Sequence, residues 1–149
     1  MSDGDTEILV VDDNPDDLEL TLRALRKASL PGRVQVARDG VEALDFVLGA
    51  GAHAGRGGPV SPKVILLDLK LPKIDGLEVL RRLRSDERTR LIPVVVLTSS
   101  REQRDVVDSY RHGVNSYIVK PVNSEEFSAV VRDLGRYWLT QNQPPNDEF

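Results

Sequence analysis

The chain has no cysteine and only two histidines, His53 and His112, among its 149 residues. The first absence excludes a disulfide framework, a Cys-rich zinc site and a thiol nucleophile, and two histidines are thin material for a metal cage. An excess of positive charge is also missing. Twenty basic side chains against 24 acidic ones give a net charge of −4, so no overall field gathers nucleic acid or anionic lipid. No apolar run approaches the roughly 18 residues that cross a bilayer, and Met1 to Glu7 is polar and acidic rather than basic and then apolar. The expectation is a cytoplasmic chain that engages neither nucleic acid nor membrane. With 40% hydrophobic and 30% charged residues, one soluble globular domain fits this length.

What is present is an alternation. Five short runs are nearly all apolar: Ile8 to Val11, Val34 to Ala37, Val64 to Leu67, Val94 to Leu97 and Tyr117 to Val119. Strands buried on both faces read this way, which predicts a parallel sheet covered by helices on both sides. Between the runs lie segments of helical period. The first opens on Asn14 as N-cap, with Pro15 at the first helical position and Asp16 and Asp17 where carboxylates complement the helix dipole; Leu18, Leu22 and Leu25 follow. The second carries Val41, Leu44 and Val47 and ends at Gly49; the third carries Leu77, Leu80 and Leu83. The fourth, from about Arg101, carries Val106, Val107 and Tyr110 and stops at Gly113. The last follows a Ser124 cap with Phe127, Val130, Val131, Leu134, Tyr137 and Trp138. Five β-α pairs predict a doubly wound α/β domain with five helices and the flavodoxin-like strand order 2-1-3-4-5. Gly49 to Pro62, with five glycines and two prolines, reads as a flexible loop. The expected layout is an N-terminal tail over 1–6, the domain over 7–140 and a C-terminal tail over 141–149, with no output domain.

In such sheets chemistry gathers beyond the carboxyl ends of the strands. Asp12 and Asp13 follow the first run, Asp68 the third, Thr98 and Ser99 the fourth, and Lys120 and Pro121 the fifth. These four strands are neighbours in the predicted order, so three carboxylates, a hydroxyl and an ammonium converge. Clustered carboxylates resist ionisation unless a cation offsets them, and with oxygen ligands alone the natural cation is magnesium. Lys120 adds a compact charge suited to a phosphoryl oxygen. An aspartate able to become an aspartyl phosphate, a Mg2+ site and a lysine together describe phosphoryl transfer.

The stretches ILVVDDNP (8–15), VILLDLKLPKIDG (64–76), VVVLTSS (94–100) and NSYIVKPV (115–122) resemble the receiver domain of two-component response regulators, from Glu7 to about Trp138. The resemblance implies that Asp68 is the phosphoacceptor, taking its phosphoryl group from a phosphohistidine on a partner histidine kinase. It implies that Asp13 and Asp68 ligate Mg2+ directly, that Asp12 acts mainly through a bound water, and that the backbone carbonyl of Lys70 is a further ligand. Thr98 and Lys120 are implied to meet the phosphoryl group, Tyr117 to be the switch aromatic, and the Lys120–Pro121 bond to be cis. Lys70 and Ser100 stand at positions that vary in the family and tune phosphoryl lifetime. The long glycine-rich loop, the missing output domain and the RYWLT end (136–140) look like single-domain regulators that partner bacterial phytochromes. The implied partners are therefore a phytochrome-type kinase, a downstream protein or phosphotransfer partner, and a second copy in a homodimer, with Tyr137, Trp138 and Phe149 as candidate dimer contacts.

Plainer readings exist for the same residues. Asp12, Asp13, Asp16 and Asp17 form a cap cluster for the first helix if the carboxylate after the third strand is ignored. Thr98 is a possible cap for the fourth helix, though Ser100 fills that role better, and Tyr117 is by default a half-buried strand aromatic. His112 reads as a surface residue at a helix end and His53 as a loop residue without a partner. GAGAHAG (49–55) follows a helix, whereas a dinucleotide fingerprint follows a strand. A flavin site would need a phosphate cradle where this chain has DDNPDD (12–17). A haloacid-dehalogenase-type phosphatase wants an aspartate two residues after its nucleophile, where this chain has Lys70. A receiver-like module that no longer takes phosphate is the remaining alternative, against which all the key residues stand.

Overall fold

The computed structural model describes residues 3–145, and in it the apolar runs form strands β1 (Thr6–Val11), β2 (Arg33–Ala37), β3 (Val64–Leu67), β4 (Val94–Thr98) and β5 (Ser116–Val119). Every neighbouring pair is parallel, and the order is β2-β1-β3-β4-β5, as the alternation predicts. Val11 lies opposite both Ala37 and Leu67, and Thr98 opposite Val119. The carboxyl ends of β1, β3, β4 and β5 therefore come out along one edge.

Helices α1 (Pro15–Lys27), α2 (Gly40–Leu48), α3 (Gly76–Ser85), α4 (Gln103–Arg111) and α5 (Ser124–Arg136) follow the strands in turn. Successive strand residues point to opposite faces. Ile8, Val10, Leu66, Val95 and Leu97 pack with Leu18 and Leu25 of α1 and with Phe127 and Val131 of α5; Leu9, Val11, Ile65, Leu67 and Val96 pack with Phe46 of α2 and with Leu80 and Leu83 of α3. Helix α4 is the exception: its predicted stripe is only half-buried, Tyr110 stands in solvent, and Ser109 is its one buried residue.

Several expectations need correction. The N-cap of α5 is Asn123, whose Oδ1 accepts from the amides of Glu125 and Glu126, and Ser124 is the first helical residue. Both types cap well, but Asn123 is the one with extended backbone. The fourth helix starts at Gln103 rather than Arg101. The glycine-rich stretch is no loose loop: Gly51–Arg56 form a 3-10 helix. Arg56 donates to the carbonyls of Phe46, Val47 and Gly58 and to Asp3, and His53 Nδ1 lies 2.7 Å from Asp3 Oδ2. The Lys120–Pro121 bond is trans, like every other peptide bond among the described residues; trans is the form X-Pro bonds prefer by about 0.5–1 kcal/mol. Beyond α5 the chain continues through a π-helical turn, Tyr137–Gln141, in which Leu139 is buried and Tyr137 half exposed. Phe149 lies outside the described residues. No described helix is long and apolar enough to cross a membrane.

Candidate phosphoryl-transfer site

Each carboxylate is placed by the strand or turn that carries it. Asp12 follows the last residue of β1, is buried, and accepts the Asn14 amide on Oδ1 at 2.9 Å. Asn14 in turn caps α1 by accepting from the amides of Asp16 and Asp17. The six residues DDNPDD are thus one folded unit that ends β1, starts α1 and turns Asp17 inward. Asp68 follows β3 and is also buried. The loop behind it is closed by the Gly76 amide donating to the Leu69 carbonyl at 2.8 Å. A Cβ on Gly76 would lie 2.3 Å from the Asp68 carbonyl oxygen, so only glycine lets α3 begin this close to the loop after Asp68.

Asp68 Oδ1 accepts from the Thr98 hydroxyl at 2.8 Å and from the Lys70 amide at 3.3 Å. Its Oδ2 accepts from Lys120 Nζ at 2.8 Å. The same ammonium, itself buried, donates to Asp12 Oδ2 and to Asp17 Oδ2, each at 2.9 Å. Asp13 stands exposed at the rim. One carboxylate oxygen from each of Asp12, Asp13 and Asp68 falls within 4.8 Å of the others. An all-oxygen trio this tight matches a hard divalent cation.

The electrostatics follow from burial and pairing. Burial raises the Asp12 carboxyl above its ordinary value, against the lowering effect of the Asn14 amide and Lys120. For Lys120, burial by itself favours the neutral amine, but hydrogen bonds to Asp17, Asp68 and Asp12 outweigh it and hold the ammonium above the usual lysine value. The cation is therefore fully charged at neutral pH.

The predicted residues Asp12, Asp13, Asp68, Thr98 and Lys120 all converge. Lys70 places its amide on Asp68 while its side chain is exposed. Tyr117 is half-buried, its hydroxyl donating to the Ser100 carbonyl at 3.0 Å. Ser100 is not the N-cap of α4. Glu102 is, without a side-chain cap, while Ser100 Oγ accepts the Glu102 amide at 3.3 Å and donates to Asp105. The residue that sequence reasoning missed is Asp17. Its place in a first helical turn accounts for an acid there, and nothing local signals a partner 103 residues away.

A family model described as "Response regulator receiver domain" matches residues 8–132. Among curated proteins, the chain is 43% identical over 138 residues to the probable methanogenesis regulatory protein FilR2 of Methanothrix harundinacea, covering 93% of this chain and 86% of that protein. It is 36% identical over 132 residues to response regulator Rcp1 of Synechocystis, covering 89% and 88%. Among solved structures, the Mn(2+)-bound form of Rcp1 superposes with a TM-score of 0.86, at 35% identity over 93% of this chain and 98% of that one. The phosphorylated cyanobacterial phytochrome response regulator RcpA gives 0.86, at 38% identity over 95% and 99%. The bacteriophytochrome response regulator AtBRR gives 0.70, at 54% identity over 91% and 96%. With five strands in the same order, a trio of clustered aspartates and a matching family model over most of its length, this chain belongs to the response regulator receiver family of two-component signalling, close to the phytochrome-associated regulators.

Proposed function

We propose that Asp68 accepts a phosphoryl group from a phosphohistidine on a partner histidine kinase of the phytochrome type, and that the protein signals through the resulting change in its surface. The observation that carries this reading is the pairing of both Asp68 oxygens, one with the Lys120 ammonium and the other with the Thr98 hydroxyl. Asp12, Asp13, Asp68 and the backbone carbonyl of Lys70 would hold Mg2+, a hard cation suited to oxygen donors. When bound, the ion offsets the negative charge gathered between acceptor and phosphoryl oxygens.

In the transfer, an Asp68 oxygen bonds to phosphorus as the P–N bond to the kinase histidine breaks, its electron pair remaining on the imidazole. Lys120 exchanges its Asp68 contact for a phosphoryl oxygen, and Thr98 turns its hydroxyl to the same group. Tyr117 then leaves the Ser100 carbonyl and turns inward, which reshapes the face made by α4, β5 and α5. Attack of water on the phosphorus breaks the new O–P bond, releasing inorganic phosphate and the free Asp68 carboxylate, so the domain catalyses its own phosphorylation and dephosphorylation. Output runs through a docked downstream protein or phosphotransfer partner in the cytoplasm, with a homodimer on the reshaped face. Intact mass after treatment with acetyl phosphate tests the acceptor: one phosphoryl group is gained with Mg2+ and none without it or in Asp68→Asn. An equal gain in Asp68→Asn identifies a different acceptor.

A further inference from the structure

A lysine ammonium has three N–H donors, and in this site all three are taken, by Asp12, Asp17 and Asp68. The three acceptors are not equivalent for the reaction. Asp68 is the acceptor itself, so its contact with Lys120 is given up when it is phosphorylated. Asp12 belongs to the trio whose oxygens cluster within 4.8 Å, the set suited to the cation. Asp17 belongs to neither role. It is held as part of α1, its amide bonded to the Asn14 side chain, and its carboxylate reaches across to the end of β5. Its side chain is 29% exposed, against 6% for Lys120, so it closes the outer side of the ammonium.

From this geometry we infer that Asp17 is a positioning residue for phosphoryl transfer: it keeps Lys120 aimed at the phosphoryl position beside Asp68 while Asp12 is engaged with the cation and Asp68 with phosphorus. The inference rests on the phosphotransfer reading above. It is separable from the helix-dipole role of an acid at this place, because neighbouring Asp16 has the same charge in the same turn and is exposed. Removing Asp16 takes away the dipole contribution alone. Removing Asp17 takes away the dipole contribution and the hold on Lys120.

The test compares wild type, Asp16→Ala, Asp17→Ala, Asp17→Asn and Asp68→Asn in the rate of phosphoryl gain from acetyl phosphate at saturating Mg2+, followed by intact mass. Misplacing a reacting partner by about 1 Å costs up to about 100-fold, so Asp17→Ala is expected to slow the maximal rate by about ten-fold or more. Asp17→Asn, which keeps an acceptor oxygen, recovers much of that loss, and Asp16→Ala reacts like wild type. Asp17→Ala also gives up a bond to the buried ammonium, so its thermal midpoint is expected below that of Asp16→Ala, and the rates are compared at a temperature where every variant is folded, which separates positioning from folding. Equal rates in Asp17→Ala and Asp16→Ala overturn the inference, and so does an Asp17→Asn rate no better than that of Asp17→Ala. If wild type itself gains no phosphoryl group, or Asp68→Asn gains as much, the phosphotransfer reading fails instead.

Discussion

β3 and β5 lie two places apart in one sheet and each is followed by one partner of the Asp68–Lys120 pair, yet all four residues of β3 are buried and all four of β5 are only half so. The helices differ likewise. α3, which follows β3, buries Val79, Leu80 and Leu83, whereas α4, which precedes β5, buries Ser109 alone. The proposed acceptor therefore follows a strand buried throughout, and the tyrosine proposed to answer it sits on a strand with no fully buried residue. Elements with few buried apolar contacts sit at the low end of local stability. On the proposed function, phosphorylation of Asp68 would redistribute the weakly buried α4–β5 edge and leave the strands that hold the site undisturbed.

The widest contrast is expected from truncating one side chain on each side. Ile65→Ala, in the centre of β3, should lower the unfolding free energy by about 3 kcal/mol, while Val107→Ala on α4 should cost about 1 kcal/mol or less. Urea titrations of the two variants measure both, and equal losses would erase the distinction.

Lys120 tests the seam between the two regions. Lys120→Met leaves Asp12, Asp17 and Asp68 without their shared cation, a loss of about 3 kcal/mol by comparison with other broken buried pairs. Because its folded-state value is raised, the lysine's contribution is complete below its ordinary value of 10.5 and declines as the pH rises through the folded-state value. The stability gap between wild type and Lys120→Met should therefore hold steady from neutral pH to about pH 10 and narrow above it. A gap that widened with alkali would mean that the ammonium is not held as described.

The smallest effect is expected at Tyr117. Tyr117→Phe removes one partly buried hydrogen bond to the Ser100 carbonyl, worth about 1 kcal/mol. The same urea measurement reads it, and a loss as large as that of Ile65→Ala would show the edge to be as tightly built as the centre.

Most of the architecture was legible because burial on both faces leaves a local trace, a continuous apolar run such as Val64 to Leu67. The convergence of Asp68, the acidic pair after β1, Thr98 and Lys120 was legible for the same reason: each stands at or directly after the end of such a run. What escaped the sequence depends on partners distant in the chain. The Asp17–Lys120 bond and the tie from His53 and Arg56 to Asp3 join residues with no local signal of each other. A glycine-rich composition alone therefore suggested a loose loop. The half-buried state of α4 escaped as well, since Val106, Val107 and Tyr110 have helical spacing whether or not anything covers them. At the start of α5, Asn123 and Ser124 are both good caps, and only backbone conformation decides between them.

The most direct test of a buried acceptor coupled to a weakly buried responding edge is amide hydrogen exchange, before and after acetyl phosphate treatment with Mg2+. The account predicts that β1 and β3 keep the same slow exchange while amides of α4 and β5 change. Unchanged exchange in α4 and β5, or a change confined to β1 and β3, would contradict it.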